Sequence, residues 1–195
     1  MRYKTQIKMQ RIFIAVKIDT GENLLNMISD LKAGLKNERV KWTEVENFHI
    51  TLAFLGDTDE TKTEAINNML RRTCKGFGEF EIFIKGTGVF KNFNDPRIIW
   101  TGIEISEKLI ELYDCIKSGL KDTGIALEER TFRPHLTLGR IKSIRDNENL
   151  RSLVARYLNA EIQSQPVYEV ILYESILFQT GPVYKPLAKY PLANK

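Results

Sequence analysis

The chain repeats one order of secondary structure, and this repetition is the feature that most limits how it can fold. Hydrophobic residues alternate as in strands or recur at helical spacing, and they give the order strand, helix, strand, helix, strand twice. The first copy is predicted at residues 11–19, 23–36, 48–56, 60–75 and 80–90, and the second at 97–105, 107–121, 133–141, 148–159 and 167–178. An extended tail that contains prolines follows at 182–192.

The two copies also align in sequence at a steady offset. The segment LKAGLKN at 31–37 matches IKSGLKD at 116–122, which is an offset of 85 positions, and the strands near Ile18 and Ile105 align at 87. A repeated offset of this kind indicates internal duplication. The repeat units are predicted at roughly 11–90 and 97–178, with a tail at 179–195. Because 195 residues suit one domain, we expect two lobes packed about a pseudo-twofold axis.

The chain contains only two histidines, and both begin the same short motif. His49 precedes Thr51 by two positions, His135 precedes Thr137 by two positions, and the histidines are 86 positions apart. Imidazole exchanges protons near neutral pH because its ordinary pKa is about 6.5. Pseudo-twofold packing would place the two motifs opposite each other across a shared cleft, so we predict a catalytic acid and base. The alternative is that each histidine is only packed or solvated, and the residues alone do not assign which one is the acid.

The threonines and one arginine are predicted to accompany the histidines. Residues i and i+2 of a strand share a face, so Thr51 and Thr137 point with the histidines and can hydrogen-bond a phosphate oxygen. Arg133 has the same parity as His135 and is predicted to contact phosphate. Arg140 has the opposite parity and is expected to point away unless the strand bulges at Gly139. The alternatives are that threonine is simply common in strands and that either arginine is a solvated surface charge.

Composition excludes several classes of protein and favours an anionic partner. The net charge is +4, and the Lys and Arg residues are dispersed along the chain. This makes RNA a plausible partner without requiring it. Cys74 and Cys115 have no metal-binding spacing, and Cys74 is expected in the core, so no metal site is predicted. No apolar run approaches the roughly 20 residues that span a bilayer. Residues 1–10 are polar and basic, unlike a signal peptide, so we expect a cytoplasmic protein with no membrane partner, by default a monomer.

Several segments resemble the 2H phosphoesterase superfamily, in its RNA 2′,3′-cyclic phosphodiesterase branch, historically called 2′-5′ RNA ligase. They are RIFIAV at 11–16, FHITLAFLG at 48–56, RPHLTLGR at 133–140, GPVY at 181–184 and YPL at 190–192. The resemblance implies an α+β fold of two lobes, each an antiparallel sheet with two outer helices, whose motif strands face a central cleft. It also implies cofactor-free, metal-independent opening of a terminal RNA 2′,3′-cyclic phosphate to a 2′-phosphate. By motif position, His49 would be the proton donor and His135 the proton acceptor.

Two other functions are compatible with the same residues. The same groups could join RNA ends through a 2′-5′ linkage, if a 5′-hydroxyl attacks in place of water. A non-catalytic protein could use the cleft only to hold RNA ends. The substrate could be a tRNA fragment or a small cyclic nucleotide, and aromatic residues such as Phe48 and Tyr184 could stack a base, although core packing is the alternative for each.

Overall fold

The computed structural model of the chain describes residues 9–125, 127, 131–179 and 181–192. The first eight of the polar and basic residues 1–10 therefore lie outside the described residues. Within the described part, nine strands, four α-helices and one 3₁₀ turn follow one another along the chain. They are β1 (Met9–Lys17), α1 (Glu22–Gly34), β2 (Arg39–Trp42), a 3₁₀ turn (Val45–Asn47), β3 (His49–Asp59), α2 (Glu60–Cys74), β4 (Phe80–Phe90), β5 (Ile98–Ile103), α3 (Glu107–Asp122), β6 (His135–Ser143), α4 (Asn147–Ala155), β7 (Glu161–Val167), β8 (Glu169–Phe178) and β9 (Gly181–Pro191).

The strands form two antiparallel sheets that exchange strands between the halves of the sequence. The first sheet has the order β3-β1-β8-β9, and the second has the order β2-β6-β5-β4-β7. The last strand of each predicted repeat thus joins the sheet of the other repeat, because β4 lies beside β5 and β8 lies beside β1. The predicted α+β fold of two lobes is confirmed, while the boundaries of the repeat units stay a prediction.

Each sheet is covered on one side by two helices. Helices α2 and α3 pack on the first sheet, and α1 and α4 pack on the second. Each helix buries one apolar face, as Leu109, Leu112, Ile116 and Leu120 do in α3. Side-chain caps fix three of the helix starts: Asp59 accepts from the backbone N–H of Lys62 at 2.9 Å, and Ser106 and Asp146 cap α3 and α4 in the same way. The opposite faces of the sheets are left to form a cleft.

The core lies between the helices and the sheets and runs through both lobes. A smaller cluster of buried residues, Phe13, Ala15, Ile171 and Tyr173, lies on the other face of the first sheet, towards the cleft. Cys74 is 1% exposed, as predicted from its phase on α2. Among the described residues, no helix has the length and apolar character needed to cross a membrane.

The structure adds three strands that the sequence patterns did not indicate as strands. β2 has only four residues, and their alternation of exposed and half-buried side chains is too short to read. β7 contains Pro166 and polar residues, which is tolerated because β7 is an edge strand. The predicted extended tail forms β9 and pairs with β8 along its whole length. Helix α4 ends at Ala155, earlier than the predicted residue 159, and the chain continues in a turn.

Candidate active site

The two histidine motifs lie on β3 and β6, which contact each other across the cleft between the sheets. His49, Thr51, His135 and Thr137 all line this cleft, whose volume is about 710 Å³. Ile50 and Leu136, which alternate with the motif residues, are fully buried on the helix side. Burial of these apolar neighbours fixes the strand register, so the polar residues are presented on rigid elements. The structure therefore brings together the four residues that the motif spacing predicts.

Each histidine ring is held by the carbonyl two residues before it. His49 Nδ1 lies 2.7 Å from the Asn47 carbonyl oxygen, and His135 Nδ1 lies 2.7 Å from the Arg133 carbonyl oxygen. A carbonyl can only accept, so Nδ1 must donate in both cases. This hydrogen bond fixes the tautomer and leaves Nε2 of each ring as the nitrogen that can exchange a proton.

Aromatic rings further fix the orientation of the imidazoles. The Phe13 ring centroid lies 4.9 Å from that of His49, and Tyr184 meets His49 edge-on at 5.1 Å. Phe90 meets His135 edge-on at 4.7 Å. These contacts leave each ring little freedom to rotate, which favours a pre-organised site.

The pKa of His49 is shifted downwards, mainly by burial. Loss of hydration disfavours the imidazolium, and the hydrogen bond to the Asn47 carbonyl opposes this effect. Repulsion by Arg140, and by His135 whenever His135 is protonated, lowers the pKa of His49 further. His49 therefore interacts electrostatically with His135, and a bound anion would reverse part of the shift.

The structure places Arg140, and not Arg133, on the cleft. Arg133 is exposed and is absent from the cleft lining, although its carbonyl holds His135. The strand parity changes at a β-bulge: Thr137 pairs with Trp100 and Gly139 with Ile99, so Leu138 is the extra residue. Because of this bulge, Arg140 joins Thr137 on the cleft face. The prediction that Arg133 reaches the cleft does not match this placement. Arg140 was expected to point away unless the strand bulges at Gly139, and a bulge lies immediately before Gly139.

Three comparisons relate the chain to known proteins. The family model described as LigT like Phosphoesterase matches residues 15–100 and 103–184. The chain is 38% identical over 184 residues to the RNA 2′,3′-cyclic phosphodiesterase of Methanothermobacter thermautotrophicus, covering 93% of this chain and 98% of the relative. It is 35% identical over 183 residues to the protein of the same name from Thermotoga maritima, with 91% and 92% covered. The chain belongs to the LigT-like phosphoesterase family. The family resemblance predicted from the sequence is thus confirmed.

Solved structures confirm the fold of this LigT-like phosphoesterase. The protein TT0787 of Thermus thermophilus superposes with a TM-score of 0.78 at 25% identity and covers 95% of this chain and 99% of its own. E. coli LigT complexed with 3′-AMP superposes with a TM-score of 0.71 at 21% identity and covers the same shares. The two-sheet arrangement is therefore shared over nearly the whole chain.

The sequence did not predict that several other residues of the LigT-like phosphoesterase line the cleft. Arg11 lies at the start of β1, Lys142 lies on β6, and Tyr184 lies on β9. Burial raises the pKa of Tyr184, while the charges of Arg140 and Arg11 oppose that rise, so both arginines act on this phenol. The GPVY segment of the family resemblance contains Tyr184, but only the pairing of β9 with β8 places it beside His49. Phe48 is 1% exposed and packs in the core.

The acidic, histidine and cysteine side chains do not cluster in this site. In the part of the chain that the structure describes, no group of three or more of these side chains is arranged to hold a metal ion. Apart from Glu44 and Asn47, the polar side chains that line the cleft are aromatic N–H, imidazole, hydroxyl and cationic groups, which suit an anionic ligand such as a phosphate.

Proposed function

We propose that this LigT-like phosphoesterase hydrolyses the terminal 2′,3′-cyclic phosphate of RNA to a 2′-phosphomonoester, with His49 and His135 as acid and base and without a metal ion. The observation that carries the proposal is the matched arrangement of the two histidines in one cleft. Each ring donates from Nδ1 to a backbone carbonyl and keeps Nε2 for proton exchange. The names of the relatives from M. thermautotrophicus and T. maritima support the same reaction.

In the proposed reaction, water attacks the cyclic phosphate in line with the departing oxygen. Neutral His135 accepts a proton from the water at Nε2 while the new P–O bond forms. Protonated His49 donates its Nε2 proton to the 3′-oxygen as the P–O3′ bond breaks. The product carries a 3′-hydroxyl and a 2′-phosphate, and the proton gained by His135 balances the proton lost by His49. Each such group typically contributes about 10²–10⁴-fold to the rate.

The remaining cleft residues are assigned to the phosphate oxygens. The hydroxyls of Thr51 and Thr137 lie beside the histidines and donate to the non-bridging oxygens, where negative charge grows in the transition state. The guanidinium of Arg140 adds a charge-assisted contact from the second sheet. Arg133 has no such role in this proposal, since its side chain lies off the cleft. We also propose that the protein is a monomer and is located in the cytoplasm.

The test is an assay of wild type and two histidine variants on an oligonucleotide that ends in a 2′,3′-cyclic phosphate, in excess chelator. Wild type should convert this end only to a 2′-phosphate that stays on the oligonucleotide. His49→Gln and His135→Gln should each lower kcat by about 10²-fold or more. Near-full activity in either variant would exclude the paired-histidine mechanism. Chromatography of the products separates hydrolysis from 2′-5′ joining, and binding without turnover by wild type would identify a non-catalytic RNA-end binder.

A further inference from the structure

Cationic side chains continue the lining of the cleft beyond Arg140 along the second sheet. Lys142 lies two residues further along β6 on the same face, and Ile141 between them is buried on the opposite face. Lys41 of β2 pairs directly with Arg140, and all three cations line the cleft. In the part of the chain that the structure describes, neither Arg140 nor Lys142 forms an ion pair with a carboxylate. Both charges are therefore available to an anionic ligand.

The motif strand of the first sheet does not continue in this way. Both motif strands bulge at the same point, since Leu52 is the extra residue of β3 against β1, as Leu138 is of β6 against β5. The residues that follow the two bulges are therefore equivalent, and Gly56 corresponds to Lys142, each seven positions after its histidine. Glycine has no side chain that could bind an anion. Beyond the bulge, positive side chains thus lie on the motif strand of the second sheet and not on that of the first, which gives the pseudo-twofold cleft a direction.

We propose that Lys142 binds the phosphodiester that joins the terminal nucleotide to the preceding one, an inference that rests on the proposed function. Lys142 lies roughly 7 Å beyond Arg140 along β6, which is close to the spacing of neighbouring phosphates in a nucleic-acid chain. With the cyclic phosphate at the histidines and in contact with Arg140, the next phosphate lies at Lys142, and Lys41 on the neighbouring strand adds positive charge. The substrate class is therefore the end of an RNA chain, since a free cyclic nucleotide lacks the anion that Lys142 binds.

The test compares two small substrates that differ only in the substituent on the 5′ oxygen. One is adenosine 2′,3′-cyclic phosphate with a free 5′-hydroxyl, and the other carries a methyl phosphate diester there, which supplies the internucleotide charge without a second base. Because an exposed ion pair contributes up to about fivefold in affinity, wild type should prefer the diester by about that factor in kcat/KM at low ionic strength. Lys142→Ala should reduce the preference to below about twofold, mainly by raising KM for the diester, and Lys142→Arg should retain it.

The matched control is Lys185→Ala, which removes the same charge from an exposed position of β9 that does not line the cleft. It should leave the preference unchanged. The proposal is overturned if wild type shows no preference, or if Lys142→Ala lowers kcat/KM equally for both compounds. If wild type hydrolyses neither compound, the proposed function fails. Calorimetry with the 2′-phosphate forms of the two compounds then decides the phosphodiester site separately: tighter binding of the diester that Lys142→Ala removes supports it, and equal affinity of wild type for both refutes it.

Discussion

His49 and His135 make the same hydrogen bond to the backbone, yet their rings pack against different surroundings. Phe13 and Tyr184 contact His49, and Phe13 itself stacks with Tyr173 at 5.2 Å in the buried cluster of the first sheet. His135 has the edge of Phe90, which is only half-buried. Duplication of the motif thus repeats the backbone geometry, whereas the neighbouring strands supply different side chains.

The source of this difference is β9, which follows the second repeat and pairs at the edge of the first sheet. It delivers Tyr184 to His49. At the corresponding edge of the second sheet, the outer strand beside β4 is β7, whose residues do not line the cleft. The strand at this edge therefore gives one histidine a more enclosed environment than the other, and an acid and a base require unlike environments. Substitutions on the two sides of the cleft test how far the environments of His49 and His135 differ.

The largest expected effect is on stability, from removal of the aromatic ring beside each histidine. Phe13 is 3% exposed, so Phe13→Ala should lower the free energy of unfolding by about 3–5 kcal/mol. Phe90→Ala should cost clearly less because the ring of Phe90 already contacts solvent. Denaturant unfolding of the two variants measures both values. Equal losses would show that the two histidine environments are equally packed, contrary to the comparison.

The next largest expected effect is a loss of catalysis when one of the two arginines that flank the second motif is replaced. Arg140→Ala should lower kcat/KM for a cyclic phosphate end by about 10²–10³-fold, because it removes a charged donor from the developing phosphate charge. Arg133→Ala should cost far less, since the backbone carbonyl that holds His135 remains. Steady-state kinetics of both variants checks this order. A larger loss at Arg133 would instead support the ranking that strand parity gave.

Much of this site could be predicted from local patterns. Alternation of apolar residues placed Ile50 and Leu136 in the core and the motif residues opposite, since side-chain direction in a regular strand depends only on sequence position. The steady offset between the predicted repeats led us to expect the two motif strands at one cleft, and residues of both motifs line the cleft. Both inferences depend on information within a single strand or between the two repeats.

What could not be predicted depends on how one strand pairs with another. The bulges at Leu52 and Leu138 appear only in the register against β1 and β5, and they decide that Phe54 and Arg140 reach the cleft. A signal was present, because both motifs read His-x-Thr-Leu with a small residue next, Ala53 or Gly139. The position of Tyr184 beside His49 likewise depends on the pairing of β9 with β8, which the sequence did not indicate.

The smallest effect is a displacement of the pH profile, and it tests whether ionisation of His49 controls the rate. The two limbs of kcat/KM report the ionisations of the acid and the base of the free enzyme as a pair. Arg140→Ala removes a charge that lowers the pKa of His49, so the limb that follows His49 should move to higher pH. Arg140→Lys, which keeps the charge, and Arg133→Ala should not move it. An unmoved profile in Arg140→Ala, alongside an upward shift in the NMR titration of His49, would show that the rate does not depend on His49 ionisation, contrary to the paired-histidine mechanism.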